Sequence, residues 1–228
     1  MRQSTPPQSQ APVEENKQTL NNAIQASRWE AFLCTLVPGV LYYLLPNRLT
    51  LNPSWLLLVI EGVILLSLLL STTIRGPLPQ HVLRAASFLL LALVTAGLLI
   101  GVVLLITTLD TANPKGANLL ATAIMLYLFN VVVFALWYWE VDGGGPYQRY
   151  LQGHEAADFL FPQQANGNTS NWVPHFLDYL FLAFTSATAF SPTDTIPLTR
   201  YAKLLMMVEA ILALMILTIL AGRAINIL

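Results

Sequence analysis

Long apolar stretches separated by short polar breaks dominate the chain after residue 28. A membrane-spanning helix needs about 20 mostly apolar residues to cross about 30 Å of hydrocarbon. Lipid offers no partner for backbone polar groups, so each such stretch must be helical. The pattern predicts spans at Trp29–Leu45, Trp55–Ile74, Leu83–Leu109, Ala117–Glu140 and Tyr201–Leu228.

Two segments depart from this apolar pattern. Residues 1–27 are rich in Gln, Pro, Ser and Asn and predict a disordered polar tail, because they cannot bury enough apolar surface to offset ordering. Residues 141–171 begin with a Gly-rich turn and predict a polar extramembrane loop. The expected organisation is therefore a tail, a four-helix transmembrane region at 28–140, this loop, and a C-terminal unit at 172–228.

The segment Trp172–Phe190 is apolar and aromatic but contains Pro174, His175 and Asp178. It is compatible with a sixth span, an interfacial helix, or a half-membrane helix that turns back. We therefore expect an all-α membrane protein with five transmembrane helices plus a short aromatic half-membrane or interfacial helix before the last span.

Composition points to the same environment. The chain is 55% hydrophobic and 10% charged, whereas soluble domains carry about 25% charged residues. The expected partner is the lipid bilayer. The net charge of −1 excludes a strongly basic nucleic-acid binder. Cys34 is the single cysteine, so an internal disulfide and a cysteine-based metal site are excluded.

Hydroxyl-bearing side chains collect where the aromatic segment ends. One interpretation is that they line a polar path for ions. The other is a turn around Pro192, with Asp194 or Thr199 capping the final helix. The pore-loop candidates are Thr185, Ser186, Thr188, Ser191, Thr193 and Asp194.

This region resembles the C-terminal pore module of tetrameric potassium-type channels. The shared features are an aromatic helix from Trp172, a Thr-rich stretch, the Asp194-x-x-Pro197-x-Thr199 spacing and a final helix. The resemblance implies a homo-oligomer, a tetramer if the chain is channel-like. The stretch Ala189–Thr193 contains no glycine, so a potassium-type ladder of filter carbonyls is not expected.

The whole chain also resembles uncharacterised bacterial integral-membrane proteins that carry three short elements. They are Trp137-Tyr138-Trp139-Glu140 with its Gly-rich turn, the Asp158–Gln163 stretch and the Ala189–Asp194 stretch. This resemblance implies a multi-pass protein of the bacterial inner membrane.

The two indications of orientation disagree. The pore module implies an external N-terminus, whereas the positive-inside rule favours an internal one. With five spans and the N-terminus inside, the cytoplasmic basic residues are Arg2, Lys17, Arg28, Arg75, Arg84, Arg149, Arg200 and Lys203.

Glu61, Asn130 and Glu209 lie within predicted spans. Polar groups at membrane depth mark functional sites by default, because burying them costs free energy. The alternative is a structural hydrogen bond between helices. No catalytic, metal-binding or cofactor-binding motif is present, so no enzyme and no cofactor are expected.

Two functions stay open. The first is an ion-channel-like protein with a non-standard pore loop at Thr185–Asp194 that lacks the filter glycines. The second is a non-conducting structural or partner-binding membrane protein, whose 141–171 loop docks a partner or folds over the helices.

Overall fold

The computed structural model describes residues 36–46, 50, 55–74, 80–107, 116–153, 155–167, 172–188 and 194–225. Helix α1 is described over residues 36–44. It is followed by α2 (Trp55–Ile74), α3 (Gln80–Thr107), α4 (Gly116–Val141), α5 (Pro146–Leu151), α6 (Phe176–Thr188) and α7 (Arg200–Ile225). Two-residue strands β1 (Phe159–Leu160) and β2 (Ile196–Pro197) lie between them.

Helix α4 is the centre of the bundle. It packs against α3, α6 and α7, while α2 packs on α3. Its C-terminal half has almost no exposed surface: Phe129, Val133, Ala135 and Tyr138 are fully buried. A helix that is apolar on every side is one surrounded by other helices, and the run of large apolar residues in α4 explains its central position.

Glycines terminate α4. Gly143, Gly144 and Gly145 have φ values of 57°, 80° and 97°, a region that side chains with a Cβ atom rarely adopt. A short 3₁₀ turn, Asp142–Gly144, follows α4, and the Gly145 N–H closes it by donating to the Asp142 carbonyl at 3.0 Å. The chain therefore leaves α4 sharply and turns back over the end of the bundle.

The described residues after this turn, 146–153 and 155–167, form an ordered segment and not a free loop, and we call them the cover segment. β1 pairs antiparallel with β2, with Phe159 opposite Pro197 and Leu160 opposite Ile196. Phe159 packs edge-on against Tyr138, and Phe161 packs against Tyr179. Both phenylalanines are buried, so they fix this segment to α4 and α6.

Helices α6 and α7 both begin at the end of the bundle where α4 ends. The Tyr179 hydroxyl, in the first turn of α6, bonds to Asp142, and β2, next to the start of α7, pairs with β1. Because α4 ends where α6 and α7 start, it runs antiparallel to both. The chain runs away from this end of the bundle along α6 and has returned to it by residue 196.

Three described helices are long and apolar enough to cross a membrane: Arg84–Thr107, Leu120–Leu151 (which includes the turn after α4) and Arg200–Gly222. Trp55–Leu66 and Phe176–Thr188 are shorter apolar helices. The predicted all-α membrane class agrees with this architecture, whereas the count of five spans is not confirmed. The predicted first span, Trp29–Leu45, lies partly outside the described residues, which include 36–45 of it.

Candidate functional site

Glu209 is the centre of the candidate site. It lies on the inner face of α7 with Ala202, Ala213 and Ile216, and its side chain has no exposed surface. The outer face of α7 carries Leu204, which is 57% exposed. Glu209 therefore faces the interior of its own helix bundle.

Two hydroxyl groups surround this carboxylate. The Tyr138 hydroxyl donates a short hydrogen bond to Glu209 Oε2. Ser186, near the deep end of α6, lies beside both the Tyr138 hydroxyl and the Glu209 side chain. Three helices, α4, α6 and α7, thus each contribute one polar side chain to the same point.

Asn130 also belongs to this group and lies on α4 about two turns before Tyr138. Its Nδ2 atom donates to the backbone carbonyl of Glu209 at 3.5 Å, a long and weak hydrogen bond. We call Asn130, Tyr138, Ser186 and Glu209 the carboxylate cluster. Side chains on an α-helix lean toward its N-terminus, so Glu209 reaches toward Tyr138 while its backbone stays level with Asn130.

Two oxygens of the carboxylate cluster are unsatisfied. Glu209 Oε1 and Asn130 Oδ1 are buried and have no hydrogen-bond partner among the described residues. A buried polar atom without a partner costs about 1–3 kcal/mol. The two side chains that adjoin the Glu209 carboxyl, Tyr138 and Ser186, are neutral. The cluster therefore has acceptor capacity for a proton, a cation or a donor group.

A second polar group lies at the end of α4 and is more extensively bonded. Asp142 Oδ1 accepts the N–H groups of Asp158 and Phe159 at 3.0 and 3.2 Å. Asp142 Oδ2 accepts the Tyr179 hydroxyl at 2.5 Å. Burial raises the pKa of the Tyr179 phenol well above its ordinary value, so this phenol stays protonated and acts as the donor.

Asp158 and Arg149 complete this second group. Asp158 accepts the Gly143 N–H at 2.9 Å and the Thr199 hydroxyl at 2.6 Å. Arg149 Nη1 donates to the carbonyls of Trp139 and Asp142 at 2.6 and 2.7 Å. The Arg149 guanidinium also stacks over the rings of Trp139 and Tyr179. We call Asp142, Arg149, Asp158, Tyr179 and Thr199 the junction network.

The junction network fixes where α7 begins. Thr199 precedes α7, and its Oγ1 atom accepts the Ala202 N–H at 3.3 Å, which makes it the N-cap. The prediction of a capped turn is confirmed for Thr199. Asp194, the other predicted cap, has an exposed side chain.

Four of the six pore-loop candidates are described: Thr185, Ser186, Thr188 and Asp194. Thr185 donates to the carbonyls of Phe181 and Leu182, and Thr188 donates to the carbonyl of Thr185. These hydroxyls bond to their own helix, and Ser186 is the one described candidate that meets the carboxylate cluster. Ser191 and Thr193 lie outside the described residues.

The three intramembrane candidates divide between two places. Asn130 and Glu209 belong to the carboxylate cluster, whereas Glu61 lies on α2 against Gly39 of α1. Glu61 is fully buried as well. The pairing of Asn130 with Glu209 was not predicted, because it depends on the register between α4 and α7.

Sequence reasoning missed Tyr138 and most of the junction network. From sequence, Tyr138 stood out only as part of a short element shared with other membrane proteins, and Asp158 lay in the predicted polar loop. One sequence signal for the network was available: the triple-glycine turn after Asp142 places a carboxylate directly at the end of a helix.

No cation site of the usual protein type accompanies these groups. Within the described ranges, no three His, Cys, Asp or Glu side chains come together as a metal site would require.

Comparison with known proteins gives no match: no family model, no curated protein and no solved structure resembles the chain significantly. A proposal for the function therefore rests on the carboxylate cluster and the junction network.

Proposed function

We propose that this chain is an integral membrane protein that conducts a small cation, the proton included, through its own helix bundle. The observation that carries the proposal is the position of Glu209. It is a fully buried carboxylate on a membrane-length helix, and it meets Ser186 at the deep end of a helix that starts and returns at one end of the bundle.

The membrane arrangement that we propose has five spans, with α6 as a re-entrant helix. Its 13 residues cover about 20 Å at 1.5 Å per residue, less than the roughly 30 Å of a hydrocarbon core. The two ends of the α6 segment return to the junction network, which supports re-entry over a sixth crossing. Discontinuous helices that end at midplane are typical of ion and substrate sites in membranes.

The distribution of basic residues supports an orientation. Arg84 lies near Gly144, Arg149 lies in the junction network, and Arg200 and Lys203 lie in the first turn of α7. All four are at the end of the bundle where α6 enters. By the positive-inside rule this end is cytoplasmic, so α6 enters from the cytoplasm and the N-terminus is inside.

The proposed path runs inside each chain and not between copies. The outer face of α7 carries large exposed apolar side chains, among them Leu204, Met207, Ile211 and Leu214. Apart from the Tyr201 and Thr218 hydroxyls, a pore lined by that face would offer ions only apolar side chains. Glu209 points the opposite way, toward α4 and α6. A tetramer, as the pore-module resemblance implies, would then present parallel paths.

The test is ion flux in liposomes that contain purified protein. Wild-type protein should dissipate an imposed proton, sodium or potassium gradient faster than empty liposomes, and Glu209→Gln should remove most of that flux. Glu155→Gln is the matched control, because Glu155 is exposed on the cover segment. Separate dyes for each ion identify the species that is conducted. Flux equal to that of empty liposomes, or equal flux in Glu209→Gln, contradicts the proposal.

A second candidate function rests on the junction network. The cover segment is bonded to α4, α6 and α7 through Asp142 and Asp158. This favours the alternative in which the loop folds over the bundle of a non-conducting membrane protein. It predicts the absence of flux together with unchanged folding of Glu209→Gln, so the liposome experiment separates the two.

A further inference from the structure

Glu61 is a second buried carboxyl group, remote in the fold from the carboxylate cluster. It lies seven residues into α2, and its side chain has no exposed surface. Within the part of the chain that the structure describes, neither Oε1 nor Oε2 has a hydrogen-bond partner. The backbone of Gly39 lies beside the Glu61 carboxyl.

Gly39 provides the space that the Glu61 carboxyl occupies. A Cβ atom added at Gly39 would lie 1.9 Å from Glu61 Oε2, and Leu58 closes the same space at 3.3 Å. Two helices thus enclose one carboxyl in a slot of apolar side chains and helix backbone. Only glycine on α1 allows so close an approach of the two helices.

Among the described residues of α1 and α2, no charge balances an ionised Glu61. Described α1, residues 36–44, has no charged residue, and its titratable groups are Tyr42 and Tyr43. Glu61 is the only charged residue of α2. On α3, which packs against α2, His81 and Arg84 lie in the first turns. An isolated carboxylate in apolar surroundings is far costlier than a neutral carboxylic acid.

We propose that the slot between Glu61 and Gly39 is a proton-binding site, separate from the carboxylate cluster. The ligand is a single proton held on the carboxyl, because within the described ranges no group of three His, Cys, Asp or Glu side chains could hold a metal ion there. Release of this proton creates an uncompensated charge between α1 and α2. Deprotonation should therefore loosen the contact between these two helices.

Infrared spectroscopy of the full-length protein in lipid tests the proposal without using ion flux. At neutral pH, the wild-type spectrum should contain a protonated carboxyl C=O band that Glu61→Gln lacks. This band should persist well above pH 4.3, near which a free glutamate ionises. Carbon-13 labelling of glutamate should shift the band and identify it as a glutamate carboxyl.

Two outcomes overturn the proposal: the absence of a C=O band difference between wild type and Glu61→Gln at neutral pH, and a band that titrates away near the ordinary pH for glutamate. Should Glu61→Gln fail to fold, Glu61→Asp supplies the comparison, because an aspartic acid in the slot retains a C=O band at a different frequency. The Glu61 band should be the same in wild-type protein and in Glu209→Gln. A failure of the ion-flux proposal and a failure of the Glu61 proposal are therefore distinguishable.

A glycine pair tests the slot itself. Gly39→Ala places a methyl group where the carboxyl lies and should shift the Glu61 band and its titration. Gly62→Ala is the matched control, since a Cβ atom added there meets no atom within 4 Å. An unaltered Glu61 band in folded Gly39→Ala contradicts the enclosed slot.

Discussion

The junction network and the carboxylate cluster are both buried polar groups that include residues of α4 or of the turn after it. They differ in how many of their oxygen atoms have hydrogen-bond partners. Asp142 accepts three hydrogen bonds through its two oxygens. Glu209 accepts through Oε2, while Oε1 has no hydrogen-bond partner in the described ranges. A satisfied network stabilises and specifies a fold, whereas unsatisfied buried groups lower stability. We infer that the first group holds the structure and the second binds.

The largest expected effect comes from Asp142→Ala. It deprives two backbone N–H groups and the Tyr179 hydroxyl of their acceptor, and buried unpaired donors cost about 1–3 kcal/mol each, so the loss should exceed about 3 kcal/mol. The measurement is the midpoint of thermal unfolding in detergent, followed by tryptophan fluorescence. Asp142→Asn should lose less, because the Tyr179 hydroxyl can rotate and accept from the amide.

Asp194→Ala is the control for Asp142→Ala, since Asp194 is an exposed aspartate two residues before β2. Its unfolding midpoint should equal that of the wild type. Equal midpoints for Asp142→Ala and Asp194→Ala would show that the junction network does not hold the cover on the bundle.

The next effect comes from Gly145→Ala, at the turn from which the junction network is built. With φ 97° and ψ 169°, this residue has a conformation that only glycine adopts readily, and alanine there should cost about 1–3 kcal/mol. The added Cβ atom also approaches the Glu140 carbonyl oxygen at 3.3 Å. The unfolding midpoint measures the loss.

Gly62→Ala again supplies a contrast, here for backbone strain. Gly62 lies inside α2, where alanine is the better helix former by about 1 kcal/mol. Its midpoint should stay the same or rise while that of Gly145→Ala falls. A fall of equal size in both variants would assign the effect to the bundle in general and not to the glycine turn.

A smaller effect is expected from Thr199→Val. The change removes the donor to Asp158 and the N-cap of α7, which should together cost about 1–2 kcal/mol. Hydrogen exchange at the first turn of α7, and at Ala202 above all, should become faster. Thr107→Val is the control, because the Thr107 hydroxyl bonds to carbonyls of its own helix near an exposed end.

The helices follow from local pattern, and the predicted bounds agree with this. The span predicted at Trp55–Ile74 has the bounds of α2, and Ala117–Glu140 differs from α4 by one residue at each end. Apolar length and Pro–Gly breaks decide these boundaries within a few consecutive residues. The half-membrane interpretation of the aromatic segment stays a prediction, although the bounds of α6 fit within it.

The site followed from sequence only in part. Asn130 and Glu209 were predicted as candidates because a polar residue in an apolar helix is conspicuous. Their partnership depends on the register of α4 against α7, which is set by side-chain packing over the whole interface. Asp142 and Asp158 are ordinary in a polar loop, and only the fold buries Asp142 and half-buries Asp158. Long-range burial of this kind leaves no local signal.

The smallest expected effect on stability is that of Glu209→Gln. Glutamine keeps an acceptor for the Tyr138 hydroxyl and removes a carboxyl oxygen that has no donor to lose. Single hydrogen bonds between membrane helices average roughly 0.6 kcal/mol, so the unfolding free energy should change by less than that of any junction variant. Tyr138→Phe and the double variant complete a mutant cycle for the pair.

A comparison of Glu209→Gln with Asp142→Ala distinguishes a binding role of Glu209 from a structural one. If Glu209→Gln leaves the unfolding midpoint nearly unchanged yet abolishes ion flux, the unsatisfied carboxyl serves binding and not folding. A midpoint loss as large as that of Asp142→Ala would place Glu209 among the structural groups, because removing a group that only binds ions should leave the fold intact. The same measurement on Glu155→Gln fixes the scale of an uninvolved carboxyl group.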